Sequence, residues 1–73
     1  MAAKDRVILR VSFIGIMTKR QAVRTLETFD KVRLLQYNDH KCLAVVDVHR
    51  GDADQLTQQI LRAPGVLSIG NED

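Results

Sequence analysis

Residues 6–23 have the sequence RVILRVSFIGIMTKRQAV, and the spacing of its apolar residues changes halfway along. From Val7 to Phe13 every second residue is apolar, and this alternation predicts a β-strand over 6–13 with one buried face. From Thr18 onward the spacing lengthens to three or four residues, and Thr18 with Gln21 matches a helix capping box. The stretch therefore predicts a strand, a loop and a helix over about 19–30. The helix residues predicted to face the core are Ala22, Val23, Leu26 and Phe29.

A hairpin is predicted to follow this helix. Residues 32–37 are rich in β-branched, aliphatic and aromatic side chains, which favour a strand. Residues 38–40, Asn-Asp-His, are typical of a turn, and strand composition resumes over 41–48. Two strands joined by so short a turn pair in antiparallel fashion.

A second helix and a final strand complete the chain. Asp52 and Gln55 have the spacing of another capping box, and residues 63–65, Ala-Pro-Gly, are typical of the end of a helix. A short strand over 66–69 follows. The residues of this helix predicted to face the core are Leu56, Ile60 and Leu61.

The predicted order βαββαβ is that of the α+β ferredoxin-like fold, in which two helices cover one face of a four-stranded antiparallel sheet. The 73 residues allow one domain, 1–73, with one modest core. The second and fourth strands are the expected sheet edges. The residues predicted to lie on the open face of the sheet are Ile8, Arg10, Leu34, Gln36, Ala44, Val46 and Ser68.

Composition excludes several classes of function. The single Cys42 cannot form an internal disulfide, which favours a cytoplasmic protein. No apolar stretch approaches the roughly 18 residues of a membrane span, so membrane association is not expected. A net charge of +2 is too small to indicate nucleic acid, and the aromatic residues Phe13, Phe29 and Tyr37 are poorly placed for stacking bases.

The loop after the first strand carries a resemblance to a known family. Aligning Val11 and Phe13 with the V-x-M-x-C-x-x-C motif of heavy-metal-associated (HMA) domains places Gly15 and Thr18 on the two cysteine positions. Segments 51–56 and 66–70 also resemble the second helix and last strand of plant members. The chain is most similar to the degenerate HMA-like domains of plants, found in small HMA proteins and in the immune receptors that act against rice blast. The resemblance implies a plant immunity function in which secreted fungal effectors bind the domain.

The residue chemistry of the loop is consistent with a protein that has no metal and no cofactor. Cu(I) needs two soft thiolates at this turn, whereas Gly15 has no side chain and Thr18 has only a hydroxyl. Met17 is expected to pack. His40 and Cys42 have the i, i+2 spacing of one strand face, but two ligands do not make a zinc site. Cys42 has no motif of a catalytic nucleophile around it, so the chain is not expected to be an enzyme.

The predicted function is therefore protein binding by a fungal effector or a host protein. An edge strand offers unpaired N–H and C=O groups to a partner strand, and homodimerisation through an edge is possible. Two alternatives are an ACT-like regulatory module that binds a small molecule, and a residual metal carrier. The residues predicted to contact a partner are Arg20, Arg24, Arg33, Leu34, Gln36, Asn38, Asp39 and Lys41.

Overall fold

Four strands and two helices make up the part of the chain that the computed structural model describes, residues 5–71. A short 3-10 turn, Arg50–Asp52, precedes the second helix. The elements are β1 (Arg6–Phe13), α1 (Lys19–Glu27), β2 (Arg33–Asn38), β3 (Leu43–His49), α2 (Ala53–Leu61) and β4 (Val66–Asn71).

The four strands form one antiparallel sheet in the order β2-β3-β1-β4. This order and the two helices confirm the predicted ferredoxin-like α+β fold. β1 and β3 lie in the centre, so β2 and β4 are the edges, as predicted. Each edge strand therefore has one side without a partner strand among residues 5–71.

The core lies between the sheet and the helices and is almost entirely aliphatic. Alternate residues of β1 are buried, which confirms the strand predicted there. Buried residues of β3 and of both helices complete the core, whereas Leu61, predicted to face inward, is 45% exposed at the end of α2. The buried core residues are Val7, Leu9, Val11, Phe13, Ala22, Leu26, Ala44, Val46, Val48, Leu56 and Ile60.

The capping box predicted for α1 is present. The Gln21 backbone N–H donates to Thr18 Oγ1 at 3.2 Å, and the Thr18 N–H donates to Gln21 Oε1 at 3.0 Å. These two bonds satisfy donors that the first turn of a helix otherwise leaves without partners. Thr18 is therefore fixed as the first residue before the helix.

α1 ends at Glu27, three residues earlier than predicted. The Thr28 hydroxyl donates to the Thr25 carbonyl at 2.6 Å. An α-helical Phe29 would donate its N–H to that same carbonyl, but it donates to Leu26 O at 3.1 Å instead. Bonds between residues three apart tighten and end the helix.

The capping box predicted for α2 is wrong. The Asp52 backbone already has right-handed helical angles, φ −102° and ψ −6°, and its side chain makes no capping bond. The 3-10 turn before α2 explains this, because the chain enters the helix from a helical conformation. This turn is capped by His49, whose Nδ1 accepts from the Gly51 N–H at 3.0 Å. Asp52 instead lies 3.7 Å from Lys31 Nζ in an ion pair.

The predicted open face is wrong for three residues. Ala44 and Val46 are fully buried, and Leu34 packs against the core. The neighbouring residues of β3, Val45 and Asp47, pair with the open-face side of β1 instead. The apolar run 43–46 contains no alternation that would set the face, which is why the sequence pattern failed there. The positions predicted for Ile8, Arg10, Gln36 and Ser68 are confirmed by the strand register.

Both edge strands contain a β-bulge. Leu34 pairs with Val46 and Gln36 with Val45, so Leu35 is the extra residue in β2. In β4, Leu67 is the extra residue between the positions that pair with Phe13 and Ser12. Leu35 is 49% exposed and Leu67 is 63% exposed. Each edge therefore presents one exposed leucine at a break in regular pairing.

Candidate functional site

The loop between β1 and α1 is where the resemblance places a metal site. Thr18 Oγ1 is occupied in the helix cap described above. Gly15 is exposed, and a Cβ built on it would have no atom within 4 Å. One position therefore offers no ligand atom, and the other offers a hydroxyl, which Cu(I) does not favour.

Met17, the one soft donor in this loop, packs against the core. It lies beside Gly65, whose φ of +86° is in the left-handed region that favours glycine. A Cβ at Gly65 would overlap Met17 Sδ, so the thioether fills the space above this glycine. The prediction that Met17 packs is confirmed. Residues 5–71 contain no cluster of three or more His, Cys, Asp or Glu able to hold a metal ion.

His40 lies in the turn between β2 and β3, as the turn predicted over 38–40 requires. Cys42, predicted to lie in the strand over 41–48, lies in the same turn, because β3 begins at Leu43. The two side chains therefore do not share a strand face. Cys42 has a φ of +51°, and its Sγ donates to the Asp39 carbonyl at 3.9 Å. The turn also depends on Asn38, whose Oδ1 accepts from the His40 and Lys41 N–H groups at 2.9 and 3.1 Å. The backbone position of Lys41 is therefore fixed by Asn38.

A hollow of about 190 Å³ lies on the open face of the sheet, beside this turn. Three of the residues predicted to contact a partner, Gln36, Asn38 and Lys41, line it. Its other lining residues are Arg10, Leu43 and Val45. The hollow thus combines amide groups, two cationic side chains and an aliphatic floor. This chemistry suits an acidic or amide side chain with an apolar neighbour.

Arg33 lies further along the same face, at the other end of β2. In the strand register Arg33 lies opposite Asp47 of β3. The Asp47 carboxylate forms an ion pair with Arg6, at 3.0 Å. The Arg6 Nε also donates to both carboxylate oxygens of Asp47, at 3.2 and 3.1 Å. One carboxylate therefore lies between two arginines, and this end of the face remains basic.

Arg20 and Arg24 lie on the exposed surface of α1, one turn apart. They border a shallow depression together with Lys19, Val23 and Glu27. α1 packs beside β2, so these arginines flank the β2 edge from the helix side. Of the other predicted residues, Asp39 is exposed in the turn, and Leu34 points into the core. The structure therefore places seven of the eight predicted residues around the β2 edge, on two sides of it.

Tyr37 lies on the core side of β2 and contacts Phe13, with the ring centroids 6.4 Å apart. Burial raises the pKa of Tyr37 above its ordinary value of 10.0, and the nearby Cys42 and Asp39 add to this effect. The phenol is therefore neutral at physiological pH. Phe13 is buried and Tyr37 faces the helix side, so neither aromatic ring offers a stacking surface on the open face.

The β2 edge and the adjacent hollow together have the features of a strand-binding surface. The outer side of β2 has no partner strand in the described chain. A strand added there would extend the sheet, with alternate side chains directed towards the hollow and towards α1. Leu43 and Val45, the floor of the hollow, were missed by the sequence prediction. Asp47, a charged residue in the same strand, could have identified their face, because it is two residues from Val45.

Comparison with known proteins adds no relative: no family model, no curated protein and no solved structure matches the chain. Neither helix in residues 5–71 is long and apolar enough to cross a membrane. The order of the elements and of the strands alone defines the class of this protein, which is ferredoxin-like α+β.

Proposed function

We propose that this chain is a non-catalytic, HMA-like protein-binding domain that binds its partner at the β2 edge and the adjacent open face. The observation that carries this proposal is the unpaired β2 edge beside the hollow lined by Gln36, Asn38 and Lys41. The partner contributes a strand, and main-chain hydrogen bonds supply much of the affinity. Side chains directed into the hollow supply specificity.

The partner is a protein whose contacting strand is acidic. Lys41 lies in the hollow, Arg33 lies further along the face, and Arg20 and Arg24 lie on the helix side, so cations border the edge on both faces. Three acidic residues lie among these cations: Asp39 in the adjoining turn, Glu27 in the depression on α1, and Asp47 opposite Arg33. Complementary charge raises the association rate and rejects other partners, and its effect weakens as salt concentration rises.

The resemblance of the loop and of later segments to plant HMA-like domains makes secreted fungal effectors the first partners to test. In this proposal the Gly15 and Thr18 positions have lost metal binding, while the fold that once presented the metal loop now presents a binding surface. A host plant protein of similar charge is the second class of partner.

The experiment is a surface plasmon resonance screen of the immobilised chain against purified blast-fungus effectors of the small β-sandwich class. A Cu(I)-competent HMA domain serves as the control surface. We expect saturable binding to at least one effector, with an association rate that falls as salt concentration rises. Equal binding to the immobilised chain and to the immobilised control domain would indicate a general property of the fold. If no effector of the panel bound, a host partner or a small molecule would be favoured.

The surface is mapped with Gln36→Ala and Lys41→Glu, which change residues of the hollow. Asn38 is left intact, because its side chain accepts two turn hydrogen bonds and its loss would alter the turn itself. Arg62→Glu is the matched control, since Arg62 is an exposed cation after α2, the helix that packs beside β4. We expect Lys41→Glu to weaken binding at least about tenfold, as loss of a buried charged contact does, with little effect of Arg62→Glu. The opposite ranking would remove the β2 surface from consideration.

A further inference from the structure

We propose that the hollow on the open face of the sheet binds the phosphate group of a phosphorylated serine or threonine on the partner protein. The inference rests on the proposed function, because the phosphorylated side chain belongs to a strand bound at the β2 edge. Phosphorylation of the partner then raises its affinity for this chain. The site itself can be tested without the partner.

The side chains around the hollow mainly donate hydrogen bonds. Lys41 and Arg10 carry only donors, and no acidic residue of the described chain lines the hollow. The side chains of Lys41 and Gln36 have no hydrogen bond or ion pair within residues 5–71. Arg10 makes an interaction of its own, but a guanidinium has five N–H donors. Lys41 and Gln36 therefore offer donors that the described chain does not use.

Asn38 adds a donor whose orientation is fixed by the turn. Its Oδ1 accepts from the His40 and Lys41 backbone N–H groups at 2.9 and 3.1 Å. Because the amide oxygen faces the turn, the Nδ2 amino group is the part of the amide left to bind a ligand in the hollow. The same two bonds fix the backbone of Lys41, so the turn positions both an amide donor and a cation at the hollow.

The size of the hollow and the number of its donors favour a phosphate group. At about 190 Å³ the hollow is smaller than the roughly 300–1,000 Å³ of pockets for whole small molecules, and it suits a single side chain. A carboxylate has two oxygens and one charge. A phosphate monoester has three acceptor oxygens and a charge of about −1.5 to −2 at pH 7, so it can use more of these donors. The apolar Leu43 and Val45 are left to contact the carbon atoms of the phosphorylated side chain.

The acidic residues of the surroundings lie outside the hollow. The Asp47 carboxylate is held in an ion pair at 3.0 Å, and Asp39 is exposed in the turn. The acidic residues 72 and 73 follow β4 and lie beyond the described part of the chain. Lys41 and the two amides supply the site even where an acidic group neutralises Arg10, the cation on the β4 side of the hollow.

The test is a titration of the full, isotope-labelled chain with capped phosphothreonine, N-acetyl-O-phosphothreonine N-methylamide, followed by nuclear magnetic resonance. We expect saturable shifts of the side-chain amide signals of Gln36 and Asn38. Capped glutamate should bind at least about fivefold more weakly, because it has less charge and fewer acceptors. Capped threonine should not shift these signals.

Three results would overturn the inference. The first is the absence of saturable shifts at the hollow with capped phosphothreonine. The second is equal or tighter binding of capped glutamate, which would make this a carboxylate site. The third is tighter binding of free inorganic phosphate than of capped phosphothreonine, which would assign the site to the free ion rather than to a phosphorylated side chain.

Two variants with matched controls locate the site. Lys41→Gln should weaken the binding of capped phosphothreonine at least about tenfold, as loss of a charge-assisted contact does. Lys19→Gln is its control, because Lys19 is exposed on α1 and does not line the hollow. Gln36→Glu places a carboxylate in the hollow and should abolish binding, whereas Gln58→Glu makes the same change on α2 and should have no effect. Equal effects of each variant and its control would contradict binding at the hollow.

Failure of this inference can be distinguished from failure of the proposed function. If capped phosphothreonine bound at the hollow and no protein partner bound the chain, only the proposed function would be contradicted. If an effector bound at the β2 edge and its form phosphorylated on the contacting strand bound no more tightly, only the phosphate site would be contradicted.

Discussion

At the scale of single residues, Gly15 and Thr18 in the loop after β1 lack the thiolates that a Cu(I) site would need. The position of Gly15 is open, and Thr18 sits where the first turn of α1 needs a cap. A threonine caps a helix well, whereas binding of Cu(I) would need a thiolate at each of the two positions. Cysteine at both positions would supply the two thiolates and would remove the helix cap.

We predict that Gly15→Cys combined with Thr18→Cys creates a Cu(I) site. Gly15 has room for a side chain, and the start of a helix lowers the pKa of a nearby thiol. The loss of the Thr18 cap should cost about 0.5–2 kcal/mol of stability. Competition with a chromophoric Cu(I) chelator measures the site, with Gly15→Cys alone as the control. If the wild-type chain already removed Cu(I) from the chelator in a one-to-one ratio, a residual metal carrier would replace the protein-binding proposal.

Tyr37 gives a prediction about pH. Folding raises the pKa of this phenol above 10.0 and therefore favours its neutral form. The associated stability is fully present below pH 10.0 and is lost as the pH rises through the pKa of the folded state. Tyr37 is the only tyrosine of the chain, so ultraviolet absorbance of tyrosinate follows it directly. The midpoint should exceed 10.0 in the folded chain and return to 10.0 in denaturant. If the tyrosinate midpoint of the folded chain were lower than that of the denatured chain, the burial of Tyr37 would be contradicted.

At the scale of elements, the two helices differ at their first turns although both have a capping-box sequence. Gln21 bonds to the Thr18 N–H, whereas Asp52 makes no side-chain capping bond, so no capping box forms at α2. We predict that Gln21→Ala costs about 0.5–1.5 kcal/mol, the value of one hydrogen bond. Gln55→Ala should change stability by about 0.5 kcal/mol or less. Urea denaturation of the two variants compares them, and equal costs would mean that the box at α1 contributes nothing.

The buried faces of the helices can be compared in the same way. Leu26 is 1% exposed and Leu61 is 45% exposed, although the sequence pattern placed both inward. Leu26→Ala should cost about 2–5 kcal/mol, because it leaves a cavity. In a domain this small, that approaches the whole free energy of unfolding. Leu61→Ala should cost about 0.5 kcal/mol or less. Similar midpoints of thermal unfolding for the two variants would contradict the burial of Leu26.

The strands show which parts of the fold the sequence could predict. β1 alternates apolar and polar residues, and this made its faces predictable. The run 43–46 is apolar throughout, so only the charged residue Asp47 indicates which of its residues face the core. The polar residues around the hollow were therefore predicted, and the apolar residues that form its floor were not. The bulge at Leu35 has no sequence signature of its own, because it depends on pairing with β3. Sequence periodicity thus predicted the elements and their order, and pairing between strands decided the details of the site.

At the scale of the whole molecule, the two edges lie on opposite sides of one sheet, in the order β2-β3-β1-β4. The proposed function uses the basic edge, β2, for an acidic partner. Because β3 and β1 separate them, a strand bound at β2 does not occupy the surface of β4. One molecule can therefore use both edges at once.

This separation predicts how a change at β4 affects the complex with any effector that the chain binds. Leu67→Lys changes the exposed leucine of β4 and should alter the dissociation constant for the effector by no more than about twofold, since changes at distant sites are close to independent. Leu35→Lys makes the same change at the exposed leucine of β2, and we expect it to weaken effector binding at least about tenfold. Calorimetry measures both dissociation constants. If Leu67→Lys weakened effector binding by more than about tenfold and Leu35→Lys did not, the effector would bind at β4, and the assignment to the β2 edge would be wrong.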